Sequence, residues 1–139
     1  MGDELAASNV NRSYSLAATS IAIFTFSLFF MYPKYLGGEI STWLFQVSLV
    51  VMGLATFAFV FASFFYYCAS GGSRIDADER VRHARRGDHF WLAGYTLLFL
   101  DPTLILLAVR LRAVAAAWFA LWLVYLLVVL RHFPRVRTA

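Results

Sequence analysis

The stretch FLDPTLIL, residues 99–106, sets a carboxylate and a proline side by side in an otherwise apolar segment. A carboxyl group held among apolar residues, Asp101 here, is suited to bind a proton or a small cation. Pro102 has no backbone N–H, so the carbonyl of Leu98 loses its helical donor and the helix is expected to kink. A freed carbonyl beside a carboxylate makes an oxygen-rich ion site. A second candidate group is the serine series Ser13, Ser20 and Ser27, spaced by seven residues and therefore on one helical face. Ser20 and Ser27 can extend a hydrated path toward Asp101, or they can serve as small residues at a helix–helix contact. A third is the arginine cluster Arg80, Arg82, Arg85 and Arg86, which suits anionic lipid headgroups or another anionic ligand. A solvated helix face that fixes membrane topology is the plainer reading of the same arginines.

Other chemistry is sparse. Cys68 is the single cysteine, so there is no internal disulfide and no CxxC motif. His89 and His132 fall at the same end of their segments, but their spacing matches no metal motif. There is no Ser-His-Asp, Cys-His or glycine-rich phosphate pattern, and no cofactor or metal is expected. Trp118, Trp122 and Tyr125 recur at helical spacing, as expected of a packing or lipid-facing stripe.

The elements that position these groups follow from composition. The chain has 139 residues, 61% of them hydrophobic and only 14% charged, where a soluble domain is nearer one quarter charged. The apolar residues come in four blocks, at about 14–32, 40–68, 90–109 and 113–130. Each is near or above the roughly 20 residues that a bilayer requires. The first block is expected to close at Pro33, ahead of the turn residues Gly37 and Gly38. No cleavable secretory signal is evident in it.

Loop 69–89 joins the second and third blocks. Ser73 and Asp76 have the spacing of a capping box after a Gly71-Gly72 hinge. Asp76 with Arg80, and Asp78 with Arg82, support a helix at four-residue spacing, and Gly87 suits its end. Nine basic residues fall on one side (Arg12, Arg74, Arg80, Arg82, Arg85, Arg86, Arg131, Arg135, Arg137) and three on the other (Lys34, Arg110, Arg112). The positive-inside rule therefore predicts cytoplasmic N- and C-termini. The net charge of +4 speaks to orientation and lipid, not to nucleic acid.

Asp101-Pro102 also fits a helix start, with aspartate as N-cap and proline at the first position. The turn-like segment VRLRA, residues 109–113, has no glycine, proline, asparagine or aspartate. Length opposes that reading: residues 90–100 span roughly 16 Å, too little for a hydrocarbon core of roughly 30 Å. Asp101 is therefore expected inside the third span, close to the bilayer centre, with a salt bridge to Arg110 or Arg112 of a neighbouring subunit as its structural alternative.

The expected fold is an all-α integral membrane protein, a single four-transmembrane-helix bundle. Small-residue pairs at Ala18/Ala22, Ala58/Ala62, Ala113/Ala117 and Ala116/Ala120 favour close packing and a homo-oligomer. The leading functional expectation is a small homo-oligomeric channel or transporter for protons or small ions, built on Asp101, Pro102, Leu98, Ser20 and Ser27. Alternatives are a non-catalytic accessory subunit of a larger membrane complex, or a membrane enzyme acting on a lipophilic substrate. The expected surroundings are the bilayer, with anionic headgroups at Arg80–Arg86.

Overall fold

In lipid the backbone must satisfy its own hydrogen bonds, and apolar segments of this length do so as helices. The computed structural model describes residues 2–70 and 76–132, with side chains over 8–70 and 76–131. It has four helices: α1 (Gly2–Leu36), α2 (Thr42–Ser70), α3 (Ala77–Ala108) and α4 (Arg112–His132). All four are long and apolar enough to cross a membrane. Ser73, the Gly71-Gly72 hinge, Arg74, Arg135, Arg137 and the side chain of His132 lie outside the described residues.

Three helix ends depart from expectation. Pro33 does not close α1, which continues to Leu36. The proline deletes one hydrogen bond, and the last turn closes instead through Gly37 N–H to the Pro33 carbonyl at 3.0 Å. The start of α3 is capped by Asp76, whose carboxylate accepts from the Ala77 N–H at 2.8 Å. Gly87 does not end a loop helix. The loop helix and the third span are one continuous α3, and Gly87 lies inside it. Arg82 donates from Nε to the backbone carbonyl of Asp78 at 3.3 Å, on the same exposed face.

Both hairpin turns close with the same motif. Gly38 N–H reaches the Tyr35 carbonyl at 3.1 Å and Glu39 N–H reaches Lys34 at 3.0 Å. In the second turn Arg110 N–H reaches Leu107 at 3.0 Å and Leu111 N–H reaches Leu106 at 2.9 Å. These are Schellman caps, which place one residue in the left-handed region. Gly38 has φ +71° and Arg110 has φ +65°. VRLRA thus makes a turn without a turn residue, and α3 runs unbroken through Asp101 and Pro102. The turns are also tied together, by Ser41 N–H to the Ala108 carbonyl at 3.1 Å.

Packing follows chain order. Among the described residues α1 lies on α2, α2 on α3 and α3 on α4, while α1 barely meets α3 and never meets α4. The central α2 buries Phe45, Ser48, Met52, Ala55, Phe59, Ala62 and Tyr66, alternating steps of three and four. That is the spacing of a coiled-coil seam. α3 answers with Gly87, Gly94, Asp101 and Ala108, all buried and seven residues apart. A Cβ on Gly87 would lie 2.9 Å from the Tyr66 ring, and one on Gly94 would lie 2.8 Å from the Phe59 ring. Large knobs of α2 therefore sit on the bare backbone of α3, the close approach that drives helix association in lipid. Outside this seam, large apolar side chains such as Phe29, Trp43 and Leu127 are mostly exposed, as they are in a protein whose solvent is hydrocarbon.

Candidate functional site

Asp101 occupies the seam position that glycine fills one and two heptads earlier, so its side chain projects between α2 and α3. It is 1% exposed. Ser48, on the facing side of α2, donates its hydroxyl to Asp101 Oδ1 at 2.6 Å. Ser48 itself is 2% exposed. Neither Arg110 nor Arg112 pairs with Asp101 within the chain. Arg110 lies in the α3–α4 turn, and Arg112 lines a separate groove with Thr103 and Phe119. Asp101 lies seven residues before the end of α3, roughly 10 Å along the axis. It therefore stands nearer the hairpin-turn end of the helix than its middle.

Asp101 is among the residues lining a groove of about 550 Å³, but the groove's exposed surface is wholly apolar and the carboxyl oxygens do not open onto it. Leu98, Phe99 and Pro102 of α3, Met52 of α2, Ile23 of α1 and Trp118 of α4 surround it. Asp101, Pro102 and Leu98 are thus brought together. Ser20 and Ser27 are not among these walls. Both are buried in α1 at 0% and 7% exposure, and the Ser20 hydroxyl donates to the Leu16 carbonyl at 2.9 Å. Since α1 packs almost wholly on α2, the series Ser13, Ala17, Ser20, Ser27 forms the α1–α2 seam.

The tryptophan stripe of α4 faces α3. Trp118 Nε1 donates to the Phe99 carbonyl at 3.0 Å, and Trp122 Nε1 to the Thr96 carbonyl at 2.9 Å. The Tyr125 ring lies tilted against Phe99, 5.2 Å between ring centroids. These are packing contacts that also fix the outer wall of the groove. Of the arginine cluster, Arg82, Arg85 and Arg86 are exposed along the first turns of α3, and Arg80 is half-buried. Among the described residues no three His, Cys, Asp or Glu side chains group as metal ligands.

A second polar cluster stands at the opposite end of the seam and had no signal in sequence beyond the shared level of its members. The Tyr66 hydroxyl donates to Asp88 Oδ1 at 2.7 Å. Arg12 lies over the Trp91 ring, 5.3 Å from its centroid. No known protein family, curated protein or solved structure matches the chain. Any functional reading therefore starts from these two clusters.

Proposed function

We propose that the protein is a small membrane channel or transporter for protons or monovalent cations, with Asp101 as the group that binds the ion. The observation that carries this reading is a carboxyl group buried in a membrane-length helix beside an apolar groove, held by one hydroxyl and, among the described residues, by no cation. An unpaired carboxylate at such depth costs roughly 2.5–3.5 kcal/mol on insertion scales. A proton or cation that visits the site offsets that cost, which a structural ion pair would have removed permanently. Pro102 widens the options by leaving the Leu98 carbonyl without its helical donor. The basic-residue asymmetry favours both termini and the 69–89 segment on the cytoplasmic side. The exposed Arg82, Arg85 and Arg86 would then rest at anionic headgroups on that face. A homo-oligomer supplies the rest of a pathway, since a single chain holds the groove open on one side.

Proton and cation flux into liposomes containing the purified protein tests this. Asp101→Asn keeps the shape and an acceptor for Ser48 but cannot exchange a proton, so flux is expected to fall at least about tenfold, and Ser48→Ala is expected to alter its pH dependence. Flux unchanged by Asp101→Asn removes the aspartate from the pathway.

A second reading, an accessory subunit of a larger membrane complex, is favoured by α4. It touches α3 alone and exposes Leu121, Val124, Leu127 and Leu130. Absence of flux at every pH and voltage, with a different protein retained after mild extraction, selects it.

A further inference from the structure

At the end of the molecule away from the hairpin turns, α1, α2 and α3 enclose a cleft of about 190 Å³ walled by Asn9, Arg12, Tyr66, Asp88 and Trp91. Its walls are polar where the other grooves are apolar. Arg12 and Asp88 carry opposite charges, and no ion pair closes between them. Each is held by something else. The Arg12 guanidinium carbon lies over the Trp91 ring, 5.3 Å from its centroid, and no described residue pairs with its N–H groups. The Tyr66 hydroxyl donates to Asp88 Oδ1 at 2.7 Å, and Oδ2 has no partner among the described residues. Tyr66 is held in turn by the bare backbone of Gly87, where a Cβ would stand 2.9 Å from its ring. A fixed cation and a fixed anion thus face one small volume.

The depth of this cleft defines its surroundings. Asp88 precedes Ala108, the last residue of α3, by twenty residues. That is roughly 30 Å along the helix, the thickness of the hydrocarbon core. The cleft therefore lies at headgroup level on the second membrane face, beside exposed apolar side chains such as Tyr14 and Phe90.

We propose that this cleft binds a zwitterionic aminoethyl phosphate headgroup, with the phosphate on Arg12 and Asn9 and the primary ammonium on Asp88. A simple anion would meet the Asp88 carboxylate and a simple cation would meet Arg12, whereas a zwitterion satisfies both. Asp88 accepts N–H donors from a primary ammonium, and a trimethylammonium group has none to offer. This site is separate from the Asp101 groove and does not depend on its function.

The test is lipid retention by the purified protein, read by native mass spectrometry after exchange into equimolar phosphatidylethanolamine, phosphatidylcholine and phosphatidylglycerol. The native protein is expected to retain phosphatidylethanolamine about tenfold over phosphatidylglycerol, the effect of one charge-assisted hydrogen bond. Asp88→Asn is expected to erase that preference, and Arg12→Gln to lower retention of all three. Arg12→Lys preserves the charge and is expected to restore part of the loss. Helical circular dichroism checks that each variant is folded. Equal retention of the three lipids by the native protein, with no rise in Tm on adding soluble phosphoethanolamine, overturns the proposal, as does a preference that survives both Asp88→Asn and Arg12→Gln. Soluble phosphoethanolamine separates the two sources of this chemistry. A rise in Tm with that compound and no lipid preference assigns the cleft to a soluble zwitterion, and lipid preference without such a rise assigns it to the bilayer.

Discussion

Arg110 holds a backbone conformation that its side chain disfavours. At φ +65° it does for the α3–α4 turn what Gly38, at φ +71°, does for the α1–α2 turn. The left-handed conformation costs a residue with a Cβ roughly 1–2 kcal/mol, and glycine nothing comparable. Arg110→Gly is therefore expected to stabilise the folded protein by about 1 kcal/mol, less the entropy that glycine adds to the unfolded chain. Thermal unfolding in detergent checks it, and a fall in Tm would show that the guanidinium makes a compensating contact. The tolerance of arginine here has a physical source. The turn is secured by two backbone bonds to α3 and by the Ser41–Ala108 bond across to the first turn, so the local cost is met by the assembly.

The pairing of α2 with α3 is the most extensive helix contact among the described residues, and it is a seam of steric fit. Its glycines are not interchangeable with others in the chain. A Cβ at Gly94 would press on the Phe59 ring at 2.8 Å, whereas one at Gly53 would meet nothing within 4 Å. Gly94→Ala is expected to destabilise by about 1–3 kcal/mol through overpacking, and Gly53→Ala to be neutral or slightly stabilising. Parallel unfolding measurements on the two variants distinguish this from a general effect of glycine in helices. The helices that form this seam were readable in advance, and the seam itself was not. Four spans, their order and the burial of Asp101 follow from the apolar blocks and their lengths. The spacing Gly87, Gly94, Asp101, Ala108 also stands in the sequence, but glycine next to a charged segment reads first as a helix end. The conformational freedom of Gly87 suggests a helix end, whereas the seam uses its lack of a side chain. Ser48 was not legible: one serine among apolar residues gains meaning only when the α2–α3 register places it opposite Asp101. The Arg12–Trp91 and Tyr66–Asp88 pairs were hidden for the same reason, since each joins two helices.

For the whole molecule, α4 is the helix whose position depends on the fewest groups. Its attachment runs through the indole N–H groups of Trp118 and Trp122 and the ring of Tyr125. Interhelical hydrogen bonds in membranes contribute about 0.6 kcal/mol each on average. Trp118→Phe combined with Trp122→Phe is expected to loosen α4 while leaving the other three helices in place. Hydrogen exchange resolved by peptide should then rise over Arg112–His132 only. A rise spread over α2 and α3 as well would mean that the groove beside Asp101 is braced by α4. The helices also meet only their neighbours in sequence, apart from a slight touch of α1 on α3. Structures dominated by sequence-local contacts form quickly, because little chain must be closed before a contact is gained. A ribosome feeding this chain into a bilayer would release each span with its partner already waiting, and no helix would have to hold its place for one not yet made.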